Sequence, residues 1–161
     1  MPHLEIDIAV QDERWTDIVP NIESFTNIVV SKALSGLLTA IDHADISIVL
    51  VDDTFIRDLN KNYRGKDKAT NVLSFPQTEP NTLENPTPLC SLGDIIIAFE
   101  TIQRESEEQN KTMTDHYAHM LVHGCLHLLH FDHEDDQEAE IMEAREIDIL
   151  KTLNIKNPYQ I

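Results

Sequence analysis

Cysteine is scarce in this chain: Cys90 and Cys125 are its only two. Two thiols make no disulfide framework, so a reducing cytosol is the expected setting. Long apolar runs are missing as well. No stretch approaches the roughly 18 consecutive apolar residues of a membrane span. The first residues, Met1-Pro2-His3-Leu4-Glu5-Ile6-Asp7, carry acids and lack the basic, then apolar, order of a signal peptide. Basic residues are few, 12 Lys and Arg against 29 Asp and Glu, for a net charge of −17. That balance argues against a nucleic-acid binder held by bulk electrostatics. The shortage is uneven, however. Arg57, Lys61, Arg64, Lys66 and Lys68 share one short window with only Asp58 and Asp67. By charge alone this window is a solvated helix end and loop. Beside a bound cation it could hold a few phosphates while the acidic remainder repels non-specific nucleic acid. Repeats, low-complexity tracts and linkers are absent too, so the 161 residues are expected to form one domain, 1–161.

The order of elements points to an α+β (α/β-like) fold, a small sheet of about four strands packed with about five helices. Residues 3–10 alternate polar and apolar, which predicts a half-buried strand. Pro20 suits the first turn of a helix running to about Thr39, with Ile22, Phe25, Val29, Ala33 and Leu37 inward and Trp15 at its entrance. Ile46 to Val51 is a nearly continuous apolar run, the pattern of a strand covered on both faces. Asp52 to Thr54 offer helix caps, and Phe55, Leu59 and Tyr63 recur at four-residue spacing. A second strand over Asn71–Phe75 then completes a β-α-β unit, with Arg64 in the loop that enters it. Residues 76–91 carry Pro76, Pro80, Pro86 and Pro88 and read as a surface loop. Leu92–Ala98 is a further strand, Phe99 to about Gln109 a polar helix. The last helix opens at Asp135 with Glu138 three residues on, and buries Ile141, Ala144, Ile147 and Leu150.

Chemistry concentrates in His123-Gly124-Cys125-Leu126-His127-Leu128-Leu129-His130-Phe131-Asp132-His133. The segment from about Thr112 to Leu129 reads as a helix. Four residues make about one turn, so His123 and His127 share a face about 6 Å apart. His133 lies past the helix end, where the chain can turn back to supply a third nitrogen. Three imidazoles suit zinc and neighbouring divalent ions, and three protein ligands leave a position open, the mark of a catalytic site. A solvent-facing histidine-rich helix is the plain alternative; the ridge of His116, His119, His123, His127 and His130, with His133 beyond, weighs against it. His119 and His116, one and two turns before His123, are expected to support or pack rather than ligate. His130 stands three residues from His127 and could approach the ion. Asp132 either orients a ligand or caps the turn. Cys125 faces away as a core side chain. Metalloproteases of this spacing place a Glu directly after the first His as general base. Here that residue is Gly124.

The pattern His123-Gly-x-x-His127-x-x-x-Phe-Asp-His133 resembles the signature of the YbeY family, bacterial metal-dependent endoribonucleases that serve ribosomal RNA maturation. Tyr63-Arg64-Gly65-Lys66-Asp67-Lys68-Ala69-Thr70-Asn71-Val72-Leu73-Ser74-Phe75-Pro76 and Leu92-Gly93-Asp94-Ile95-Ile96-Ile97 agree with it. So does the acidic tail after His133. The likeness runs from about residue 45 to the C-terminus. It departs at His130-Phe131, where the family carries Gly-Tyr. Glycine there suits a left-handed turn at the helix end, a conformation His tolerates at some cost.

The resemblance implies a metal cleft beside the sheet and cleavage of RNA phosphodiesters. His123, His127 and His133 would hold one divalent ion per chain, with zinc the expected metal. Zinc on three imidazoles brings the pKa of water to roughly 7, so no strong side-chain base is required. Arg64 matches the arginine of the family's Tyr-Arg-Gly motif. A guanidinium can bind two non-bridging phosphate oxygens at once. Without the resemblance, Arg64 is as readily a structural ion pair. The implied partners are ribosomal RNA precursor, and a ribosomal subunit or its proteins, in the cytoplasm. Two other functions compete. One is a metal-dependent peptidase or amidase, favoured by the ligand spacing. The other is a non-enzymatic ribosome-assembly factor with a structural metal.

Overall fold

The structure, a computed structural model, describes residues 3–39, 41–78 and 87–160. Four strands form one mixed sheet: β1 (His3–Val10), β2 (Ile41–Val51), β3 (Val72–Pro76) and β4 (Thr87–Ala98). Their order is β1-β2-β4-β3. The strands β1, β2 and β4 are parallel; β3 runs antiparallel to β4 at the edge. Among the described residues six helices surround the sheet: α1 (Arg14–Ile18), α2 (Ile22–Leu34), α3 (Asp53–Arg64), α4 (Phe99–Glu108), α5 (Met113–Leu128) and α6 (Asp136–Thr152). The α+β fold is thus as expected, with the short α1 as the additional helix. Among the described residues no helix is long and apolar enough to cross a membrane.

Alternate residues of the central strands serve two layers, as the two-residue period of a strand requires. Ile46, Ile48 and Leu50 of β2 join Ile95 and Ile97 of β4 in the main core, with Val29 and Val30 of α2 and Leu121, Val122 and Leu126 of α5. Val51, Ile96 and Ala98 point the other way and pack with Ile56 of α3 in a small second cluster. Trp15 is fully buried against Phe99 and Tyr117, and its indole N–H donates to the Val51 carbonyl at 3.2 Å.

Several boundaries differ from the sequence expectation. The helix expected from Pro20 to Thr39 spans only Ile22–Leu34. Asn21 before it is left-handed, and Gly36 at φ 78° turns the chain after it. The β-α-β reading of residues 46–75 fails in its last strand. β3 pairs with β4 and not with β2, and Pro76, which cannot donate to a ladder, sits at its end on the sheet edge. The expected loop over 76–91 is a strand from Thr87 onward, while 79–86, with Pro80 and Pro86, lie outside the described residues. Arg64 is the last residue of α3, not a loop residue; Gly65 at φ 71° ends that helix. The inward face of α6 is Met142, Glu146, Ile149 and Leu150. Ile141 and Ala144 are exposed and Ile147 is half-buried. A carboxylate within the buried stripe is what displaced the apolar pattern. The start of α6 is as expected: Asp135 caps it, accepting from the Glu138 N–H at 2.7 Å.

Candidate metal centre

The helix α5 crosses the sheet almost wholly buried. Gly124 permits that approach: a Cβ there would lie 2.9 Å from Ile95 Cγ2 and 3.2 Å from Ser74 Oγ. Position 124 therefore faces the sheet and not the neighbouring histidines. A glutamate in this place has no room to act as a base. Cys125 is fully buried, and burial pushes its thiol up to about 12, as a core side chain requires.

The end of α5 is a left-handed turn built on His130, φ 69°. The His130 N–H donates to the His127 carbonyl and the Phe131 N–H to the Leu126 carbonyl, both at 3.0 Å. This is the helix ending for which glycine is usual, here completed by histidine. The His130 ring repays the arrangement by reaching the Thr78 carbonyl at 2.7 Å. It lines the cleft, yet it is not one of the ring nitrogens that gather beside it. The turn brings His133 back over the helix. His123, His127 and His133 each offer one nitrogen, all within 4.8 Å of one another. Nε2 of His123 and Nε2 of His127 are 3.0 Å apart. The His133 ring lies 5.5 Å from that of His123 and 5.2 Å from that of His127, between centroids. Asp132 accepts from the His133 N–H at 2.7 Å, so it braces the turn.

Two supporting histidines sit beneath. His116 bonds Glu105 at 2.8 Å, and Glu105 holds the Asn71 side chain at 3.0 Å at the start of β3. His119 bonds Glu146 Oε1 at 2.6 Å, while Glu146 Oε2 faces His123 Nδ1 at 3.4 Å. Tyr159 donates to Glu146 Oε1 at 2.9 Å. Glu146 and Tyr159 escaped the sequence reading. An acid on the inward stripe of α6 was the one available signal, and it is visible only once the helix face is known.

These imidazoles open on a cleft of about 820 Å³ shared with Arg64, Asn71 and Ser74. Arg64 is exposed and has no ion-pair partner among the described residues, unlike Arg57, which holds Asp67 at 2.8 Å. The local basic patch is thereby reduced to Lys61, Arg64, Lys66 and Lys68. Behind the histidines a smaller pocket of about 270 Å³ reaches Glu143, Glu146 and Tyr159.

Burial, reinforced by His123 and His133, pushes His127 down to about 4. Burial also lowers His119, against the pull of Glu146. For Glu146 burial acts upward, but bonds from His119 and His123 outweigh it and hold the carboxyl at about 2. At neutral pH His127 is therefore an uncharged lone-pair donor and Glu146 is a carboxylate. His127 is depressed below its ordinary 6.5, so its contribution is complete above that pH and is lost as pH falls toward about 4. Glu146 adds a loss below its ordinary 4.5, toward about 2. The urea midpoint of metal-free protein should fall between about pH 7 and pH 5. A midpoint flat across that interval would contradict the half-buried, neutral His127.

A family model described as Endoribonuclease YbeY matches residues 8–154. The chain belongs to the YbeY family. The match begins well before residue 45, where the resemblance becomes visible, because the first strand and helix carry core pattern without chemical motif. Relatives named Endoribonuclease YbeY include one from Methylocella silvestris, 48% identical over 96% of this chain and 85% of the relative. One from Azorhizobium caulinodans is 45% identical over 98% of each chain. The YbeY relative from Paramagnetospirillum magneticum is 42% identical, covering 97% of this chain and 96% of its own. The solution structure of TM1509 from Thermotoga maritima shares the fold at a TM-score of 0.55 and 20% identity, over 97% of this chain and 96% of that one.

Proposed function

We propose that this chain, acting as one domain over residues 1–161, is a metal-dependent endoribonuclease. In this reading it cleaves phosphodiesters of single-stranded RNA, with ribosomal RNA precursor as substrate and the cytoplasm as its setting. The observation that carries it is the convergence of three imidazoles on a cleft that also holds the Arg64 guanidinium, which has no ion-pair partner among the described residues. The relatives' shared name, Endoribonuclease YbeY, supplies the reaction class.

The donor set fits zinc. Nitrogens about 2.0 Å from a tetrahedral ion lie about 3.3 Å from each other, and two of these are already 3.0 Å apart. His123, His127 and His133 would hold the ion. When bound, it would acidify water and offset charge on the phosphoryl group. The remaining work falls to the chain itself. Arg64 takes the non-bridging phosphate oxygens on the open side of the cleft, where charge grows as the bond breaks. Lys61, Lys66 and Lys68 draw the backbone of the strand toward it, and the acidic surface elsewhere repels RNA that misses the cleft. The peptidase reading loses support at Gly124, whose side-chain direction is filled by Ile95 and Ser74.

Zinc-loaded protein should therefore cut a fluorescent single-stranded RNA and leave casein intact. Arg64→Lys should lower kcat about 10²-fold, the scale of losing one oriented donor, with zinc content and helical circular dichroism unchanged. Casein turnover indifferent to Arg64→Lys would overturn the reading.

A further inference from the structure

The geometry points to Glu146 as the residue that positions His123 for the ion, with His119 and Tyr159 holding the carboxylate in place. This rests on the proposed metal site. Glu146 is 1% exposed, which is rare for a carboxylate without paired partners. Among the described residues its side chain meets His119, His123 and the Tyr159 hydroxyl. Oε1 is fixed twice, by His119 Nε2 at 2.6 Å and by the Tyr159 hydroxyl at 2.9 Å. Two bonds on one oxygen set the plane of the group, and that plane delivers Oε2 to His123 Nδ1 at 3.4 Å.

The consequence is a tautomer. A carboxylate accepts and cannot donate, so the His123 proton is drawn to Nδ1. The lone pair is then left on Nε2, the atom that meets His127. Without the carboxylate, His123 would divide its proton between two nitrogens and lose a constraint on ring rotation. His127 shows no equivalent carboxylate partner among the described residues. Its ring is fixed by burial and by its neighbours, which makes His123 the ligand that depends on an anchor. Tyr159 comes from the segment after α6, so the end of the chain completes the support. Its ring stands 5.5 Å from that of His119.

Two measurements test this on the full-length chain. The first is nitrogen NMR of histidine-labelled, metal-free protein, which reports the tautomer of His123. The wild type should carry the proton on Nδ1, and Glu146→Gln should give a mixture. The second is zinc affinity by competition with a chromophoric chelator. Glu146→Gln should bind about 10- to 100-fold more weakly, the usual effect of removing a partner of a metal-bound histidine. A purely structural role would lower the urea midpoint but move neither readout. Tyr159→Phe removes one hydroxyl near the surface and serves if Glu146→Gln does not fold; it should weaken zinc binding about threefold, a fraction of the loss for the carboxylate itself. An unchanged His123 tautomer with zinc affinity within twofold of wild type, in whichever variant folds, overturns the inference. A wild-type chain that takes up no zinc defeats the proposed function instead, and the tautomer still decides the role of Glu146.

Discussion

Replacing His127 with alanine should reduce zinc affinity roughly 10²- to 10³-fold, taking one ligand as about a quarter of the 10–16 kcal/mol of a four-ligand site. RNA cleavage at fixed, limiting zinc should fall by at least as much. His127 is the ligand best suited to this test. It is half-buried, it is pushed down to about 4, and its ring holds no carboxylate among the described residues. Its removal therefore strips a donor without orphaning a buried carboxylate, as a change at His123 would. The fold should survive. Leu126 and Leu128 on either side carry the packing of this turn, and both are fully buried. Competition titration with zinc, beside far-UV circular dichroism, checks both parts. Wild-type zinc affinity in His127→Ala would place the ion elsewhere. Unfolding with affinity lost would support a bracing metal instead of a catalytic one.

Gly93→Ala should destabilise the protein by about 4 kcal/mol, adding about 1–3 for backbone strain to about 1–3 for overpacking. Gly93 has φ 135°, a conformation that side chains rarely adopt. A Cβ there would stand 2.2 Å from the Phe75 carbonyl oxygen and 3.0 Å from Leu128 Cδ2. The first obstacle is backbone of the edge strand β3 and cannot swing aside. Gly93 faces Pro76 across β3–β4 and Ile46 across β2–β4, where the register shifts after Asp45. Here β3, β4 and the end of α5 meet. Stability near this scale is a large share of the 5–15 kcal/mol of a typical domain, so chemical denaturation will show it plainly. A loss below about 1 kcal/mol would mean that the strands part without cost there.

Histidine spacing revealed most of the candidate site because helix geometry is local. Residues four apart on α5 must share a face, and a positive-φ residue at 130 must turn the chain. Strand and helix types followed from short-range pattern for the same reason. Partners set by tertiary packing were not legible. The pairing of β3 with β4 instead of β2 depends on which edge is free, and nothing between residues 72 and 76 encodes it. The inward turn of Glu146 depends on finding His119 and Tyr159, which are 27 and 13 residues away in sequence. Read along α6 alone, Glu146 looks like one more acid on a solvated face. Arg64 was legible as a candidate through its motif. Its place at the end of α3, beside the cleft and without an ion-pair partner among the described residues, required the fold.

X-ray absorption at the zinc edge, on tag-free protein stripped and reconstituted to one equivalent, tests the metal site most directly. Three imidazole nitrogens at about 2.0–2.1 Å and one further light donor in a four-coordinate shell are expected. A sulfur shell, or a six-coordinate oxygen environment with fewer than three imidazoles, would contradict it.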